Sequence, residues 1–320
     1  MSLRAAVLQR VLATASPLHR AMAVGGISPN RSQEEIERFG VGLRNQLNRA
    51  AHGARVLPNV RVVQERSGPV PGEWIDHSRA DADRCLLYLH GGGYFFGSPR
   101  THRLVAAALS ARARAQVFLP DYRLAPEHRF PAAVDDAVAA FEWLVDERGF
   151  APGRIATGGD SAGGGLSLAL VMRLRDEGRH LPACWIGLSP WTDLTSSGES
   201  IVHNRGSDWM IPPAMLPAVA RAYAGEEPLE HPYISPLFGD FEGLPPMLVH
   251  VGTTEVFLDD GRRVVDKARA AGVDASLATF PHMWHAFQAL PITPEARLST
   301  AELGGFIRRH TGDGWGHRQS

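Results

Sequence analysis

Six short apolar runs alternating with stretches of helical periodicity restrict this chain to one architecture. Residues 85–89, 116–119, 154–157, 183–188, 247–251 and 275–279 have the length and near-continuous apolarity of strands buried on both faces. Helical patterns occupy residues near 100–113, 132–148, 162–177, 258–271 and 295–309. This alternation predicts an α/β fold, a mostly parallel central sheet flanked by helices on both sides. Residues 61–66 and 72–76 alternate with period two and read as antiparallel edge strands joined through Gly68-Pro69.

Two segments depart from the rhythm. Residues 1 to about 27 carry Leu8, Val11, Leu12, Leu18 and Met22 at helical spacing, interrupted at Pro17, which predicts an amphipathic helix pair and not a signal peptide. Ser32-Gln33-Glu34-Glu35 then resembles a capping box. From about 196 to 223 there is no strand; polar loop residues precede a helix containing Met215, Leu216, Val219, Ala220 and Tyr223. An insertion at that point lies over the strand C-terminal ends, where open sheets of this kind bind ligands. The 320 residues are therefore expected to form one domain, with a helical cap from about 1–50 and 196–225.

Composition narrows the partners. The net charge of -1 and the absence of any basic run argue against nucleic acid or an anionic membrane surface. No stretch approaches the ~20 apolar residues that span a bilayer. Cys85 and Cys184 sit inside apolar runs and read as buried hydrophobes, which fits a reduced, cytoplasmic setting. The 14 histidines are scattered, without an H-E-x-x-H stretch or other metal-ligand cluster, so neither metal nor cofactor is expected.

Chemistry concentrates at three places. Gly159-Asp160-Ser161-Ala162-Gly163 follows a strand and precedes a helix. That is the setting in which a G-x-S-x-G turn exposes its serine hydroxyl at the top of a sheet. His90-Gly91-Gly92-Gly93-Tyr94 follows another strand, and its glycines let backbone amides approach a developing oxyanion. Pro281-His282-Met283-Trp284-His285-Ala286-Phe287 follows the last strand, where a general base belongs. Spacing alone does not separate His282 from His285, while His250 lies within an apolar strand. The acid that orients such a base falls among Glu255, Asp259 and Asp260, after the 247–251 strand. Glu255 is nearest the strand end; the two aspartates fit the first turn of the next helix.

Four motifs together, running in order from about residue 60 to 290, resemble the bacterial hormone-sensitive-lipase-like esterases of the α/β-hydrolase fold. They are His90 to Gly93, Asp121-Tyr122-Arg123-Leu124-Ala125-Pro126-Glu127, Gly159 to Gly164 and His282 to Phe287. Ser189-Pro190-Trp191-Thr192-Asp193 and Pro232-Tyr233-Ile234-Ser235-Pro236-Leu237 are similar to the family as well. The resemblance implies Ser161 as nucleophile, His285 as base through its H-x-F ending, and backbone N–H groups of Gly92, Gly93 and Ala162 as oxyanion donors. Where the family has an Asp opening D-P-L-x-D, this chain has Glu255-Val256-Phe257-Leu258-Asp259, which places Glu255 at the acid position. His90 and Asp121 would hold the glycine loop and the neighbouring turn.

The implied activity is hydrolysis of short- to medium-chain carboxylic esters through an acyl-enzyme. Tyr94, Phe95 and Phe96 after the oxyanion loop are candidates for an apolar pocket, as are Trp209, Met210, Ile211 and Met215 in the insertion. Trp191 and Trp284 are expected to pack against the sheet top. A lactone or amide hydrolase would use the same site, and a receptor-like binding protein would keep the pocket without turnover. The partner is a small-molecule ester, and the resemblance also suggests a homodimer through a sheet edge.

Overall fold

The structure is a computed structural model that describes residues 1–15, 32–51 and 58–312. The second helix expected before residue 27 lies outside them. Helices α1 (Leu3–Ala15) and α2 (Gln33–Ala50) precede the sheet. The Ser32 hydroxyl accepts the Glu35 N–H while the Glu35 carboxylate accepts the Ser32 N–H, so α2 starts in the predicted capping box.

Eight strands follow: β1 (Val60–Glu65), β2 (Gly72–His77), β3 (Asp81–Leu89), β4 (Ala115–Pro120), β5 (Ile155–Asp160), β6 (Cys184–Leu188), β7 (Met247–Gly252) and β8 (Ala275–Phe280). They form a single sheet in the order β1-β2-β4-β3-β5-β6-β7-β8. β2 pairs antiparallel with both β1 and β4, and the remaining pairs are parallel. β3 begins four residues earlier than its apolar run. Asp81 pairs with Ala115 ahead of a register shift, and the ladder resumes at Cys85. The polar 81–84 stretch hid this extension.

Strand alternation sorts the core. Cys85, Leu87 and Leu89 of β3 face α4 (Ala132–Asp146) and α5 (Ala162–Asp176), where Val134, Phe141, Leu166 and Leu170 complete one cluster. Leu86 and Tyr88 point oppositely, toward α3 (Pro99–Ala113) and α9 (Pro294–His310), and meet Val105, Leu109, Leu303 and Ile307. A fully buried leucine such as Leu86 contributes roughly 1.5–3 kcal/mol, so double coverage explains why these strands tolerate so little polarity. α8 (Leu258–Ala270) packs Val264, Val265 and Ala268 on β7.

Between β6 and β7 the chain leaves the sheet through α6 (Ser200–His203) and α7 (Leu216–Ala224), within the expected insertion. Arg44 of α2 donates from Nε to Phe95 O at 2.8 Å and from Nη2 to Ala125 O at 2.8 Å, and its guanidinium pairs with Glu127. Helix α2 is thereby tied to the loops beyond β3 and β4. Among the described residues no helix is long and apolar enough to cross a membrane. Cys85 and Cys184 are buried and free, and burial pushes both thiols well above their ordinary range.

Candidate active site

β5 runs to Asp160 and α5 begins at Ala162, which leaves Ser161 as the single residue of the turn, at φ 53° and ψ −126°. A side-chain-bearing residue rarely holds that conformation, so the surroundings must enforce it. Ser161 N–H donates to Leu188 O at 3.0 Å, and Trp191 N–H donates to Ser161 O at 2.9 Å, which fasten the turn to the end of β6. Gly163 permits the close approach behind it, since a Cβ there would lie 2.1 Å from Leu89 O.

The loop after β3 is held just as firmly. Asp160 Oδ1 accepts the Gly91 N–H at 3.1 Å and the Tyr88 hydroxyl at 2.8 Å, and Oδ2 lies 3.4 Å from His102 Nε2. Burial opposes the charged form of Asp160. The charge and hydrogen bond of His102, with the Tyr88 hydroxyl, outweigh it and bring the pKa to about 2. His90 stacks on Tyr122 at 4.3 Å, and burial brings its pKa to about 3, so it is neutral packing. Tyr122 OH donates to His90 O at 2.7 Å, so the Tyr122 side chain braces the start of the glycine loop. Gly92 sits at φ +123°, where a Cβ would lie 2.1 Å from Phe96 O. Among the described residues, the N–H groups of Gly92, Gly93 and Ala162 meet no intramolecular acceptor.

The three candidate histidines separate cleanly. His250 is buried within β7 with its Nδ1 2.8 Å from Ser299 Oγ, on the α9 side of the sheet. His282 is exposed, and its N–H donates to Thr253 Oγ1 at 2.8 Å. His285 is buried, lines the same cavity as Ser161, and has Nδ1 2.8 Å from Glu255 Oε2. That contact places the ring proton on Nδ1 and leaves Nε2 as the basic nitrogen.

The carboxylates separate too. Glu255 Oε1 accepts from Ser189 Oγ at 2.9 Å and from the Gly252 N–H. Asp259 Oδ2 accepts the Ser200 N–H at 2.8 Å and fastens α6 to α8. Asp260 Oδ2 accepts the N–H groups of Thr192 and Asp193 at 2.8 and 2.9 Å, and burial followed by the Asp193 charge raises its pKa to about 8. Of the three candidate acids, Glu255 is the one hydrogen-bonded to His285. Burial raises the Glu255 pKa, with His285 opposing. Burial alone would lower the His285 pKa; the Glu255 hydrogen bond and charge, then Asp208 and Asp160, more than reverse it.

The cavity holds about 220 Å³. Ser161 and His285 share it with the glycines 91–93, and Met210, Ile211, Met215 and Val219 from the insertion supply an apolar wall. Of the pocket candidates, Met210, Ile211, Met215 and Phe96 line it, whereas Tyr94, Phe95 and Trp209 do not. Tyr94 is turned inward and stacks on Tyr223 at 3.7 Å; Phe95 is buried beneath Gly40 of α2; Trp209 packs on Trp284. Several other lining residues had no local signal, three large apolar ones among them. Leu47 comes from α2, Phe257 lies just beyond Glu255, and Trp191, expected only as packing, reaches the cavity from beyond β6.

Residues 86–289 match the α/β hydrolase fold family. An acetyl-hydrolase of Streptomyces hygroscopicus is 43% identical over 77% of this chain and 82% of its own. An esterase of Acinetobacter venetianus is 37% identical over 78% and 82%. The crystal structure of an esterase from the bacterial hormone-sensitive lipase family superimposes with a TM-score of 0.84 at 39% identity, covering 95% of this chain and 98% of that one. With the strand order, the serine turn and the glycine loop described above, these likenesses show that the chain belongs to the α/β-hydrolase fold family, among the bacterial hormone-sensitive-lipase-like esterases.

Proposed function

We propose that this carboxylic ester hydrolase acts on short- to medium-chain esters, with Ser161 as nucleophile, His285 as general base and Glu255 as the acid that orients it. The observation that carries the assignment is the 2.8 Å contact from His285 Nδ1 to Glu255 Oε2, made by a histidine that shares one cavity with Ser161. In this reading Ser161 Oγ attacks the ester carbonyl as His285 Nε2 takes its proton. The N–H groups of Gly92, Gly93 and Ala162 receive the oxyanion, and losing one such donor typically costs roughly 10²–10³ in rate. His285 then protonates the leaving alcohol, and water, activated by the same nitrogen, releases the acid from Ser161.

The small apolar cavity supports the chain-length assignment, because Met210, Ile211 and Met215 can desolvate a few methylenes but leave little depth for more. The segments 1–50 and 196–225 act as the cap in this reading. Leu47 of α2 and Val219 of α7 both face the cavity, which supports it. A homodimer through a sheet edge belongs to the same proposal, β8 being one edge of the sheet. So does a cytoplasmic setting, supported by the two buried free thiols. Hydrolysis of p-nitrophenyl esters from acetate to palmitate tests the substrate assignment. Turnover should peak between acetate and hexanoate and fall steeply beyond; a maximum at palmitate would contradict it.

A further inference from the structure

Asp208, between α6 and α7, carries a buried carboxyl group. Its Oδ1 accepts the N–H groups of Met210 at 2.9 Å and Ile211 at 3.1 Å, and its Oδ2 accepts the Val256 N–H at 2.9 Å. Met210 and Ile211 form part of the cavity wall, and Val256 directly follows Glu255. One carboxylate thus joins the wall that an acyl group meets to the backbone that carries the acid.

The surrounding bonds make the linkage stiff. Asn204 Nδ2 donates to Glu255 O at 2.8 Å and to Thr253 O at 3.2 Å, and Ser200 Oγ donates to Val256 O at 2.6 Å. Residues 253–256 are therefore gripped by the insertion through carbonyls and an N–H, and Asp208 supplies the acceptor for the N–H. Three amides left without it would be costly to bury, which is why a carboxylate with two oxygens suits the position.

The charge of Asp208 also reaches the imidazole. The groups acting on His285 are Glu255 from the loop after β7, Asp208 from the insertion and Asp160 from the end of β5, with the Phe257 ring edge-on at 5.2 Å. Burial raises the Asp208 pKa, while His285 and the three amides oppose that rise.

We propose that Asp208 is a positioning residue for ester hydrolysis, clamping the Met210–Ile211 wall to the Glu255 loop so that the acid stays aligned with His285; this rests on the roles assigned above to Glu255 and His285. The substitution Asp208→Asn keeps the size but removes the charge and one acceptor. Active sites are titrated with a serine-directed phosphonate, and kcat is expressed per titrated site on p-nitrophenyl acetate and butyrate. Misplacing catalytic groups by a fraction of an ångström predicts a fall of roughly 10- to 100-fold per site. Removing a negative charge beside the imidazole makes the imidazolium easier to deprotonate, so the acidic limb of kcat/KM should move to lower pH. A purely structural role would lower the melting temperature and the titratable fraction yet leave both kcat per site and the limb in place, and that result overturns the proposal.

If Asp208→Asn does not fold, amide hydrogen exchange on the wild-type chain decides. The Met210, Ile211 and Val256 amides should be protected together, and exchange at the rate of open loop amides would overturn the clamp. A wild type with no titratable serine and no turnover would instead remove the hydrolytic reading, and this inference with it.

Discussion

Ser189 donates its hydroxyl to Glu255 Oε1 at 2.9 Å, and Ser189 Oγ accepts the N–H of Ala286, next to His285, at 3.0 Å. One side chain thus spans the loop carrying the proposed acid and the loop carrying the proposed base. Its backbone conformation, φ 48°, turns it off β6 toward both, and its N–H is fixed on His250 O at 2.8 Å.

Ser189→Ala removes the donor to Glu255 and strands the Ala286 amide. Each unsatisfied buried group costs about 1–3 kcal/mol, so kcat should fall roughly 10-fold and the melting temperature should drop as well. Steady-state kinetics beside a thermal melt checks both, and unchanged values would show that the bridge is dispensable.

Glu255→Gln keeps the shape but can present an amide to His285 Nδ1 and select the wrong tautomer. An acid replaced in this way typically costs on the order of 10⁴ in kcat. Asp259→Asn should be far milder, within about 10-fold, because Asp259 fastens Ser200 and pairs with Arg262 but makes no hydrogen bond to His285. A reversed ranking on p-nitrophenyl butyrate would assign the acid wrongly.

The base must be neutral to act, so kcat/KM rises with pH as imidazolium is lost. The net raised pKa of His285, set by burial against the stronger pull of Glu255, puts that limb above the ordinary value of 6.5. Without the Glu255 charge the limb should move down. A pH–rate profile of wild type and Glu255→Gln tests the sign, and an upward shift in the variant would contradict it.

Much of this site was legible because its parts are contiguous in the chain. The strand, glycine, serine, glycine and helix of 154–177 form one local unit, and the glycine loop follows β3 directly. The carboxylate that meets His285 was also legible from position, since Glu255 leaves the end of β7 ahead of α8. Pocket residues were harder to read. Tyr94 sits beside Gly93 in sequence, but positive φ at both turns its ring into the core, onto Tyr223. Leu47 lies far from Ser161 in the chain and reaches the cavity because long-range contacts hold α2 there, Arg44 on the 95–127 region and Asn48 on Ser98 among them. Neither outcome has a periodicity or a motif to betray it.

Asp160 links the site to acid stability. Its pKa is about 2 when folded against 3.8 in the open chain, a contribution of about 2 kcal/mol. For a depressed carboxylate this stabilisation is complete above pH about 4 and is lost as pH falls toward 2. Thermal melts of Asp160→Asn and wild type should therefore differ most near neutrality and converge below pH 3. A gap that is constant with pH would show that the charge is not what stabilises the loop.

The most direct measurement is the mass of the intact protein during turnover of p-nitrophenyl butyrate, with peptide mapping of any adduct, in wild type and Ser161→Ala. Wild type should carry a transient butyryl adduct on the Ser161 peptide, and Ser161→Ala should show neither adduct nor hydrolysis above about 10⁻³ of the wild-type rate. Undiminished hydrolysis by Ser161→Ala, or an adduct on another residue, would contradict the assignment of Ser161 as nucleophile.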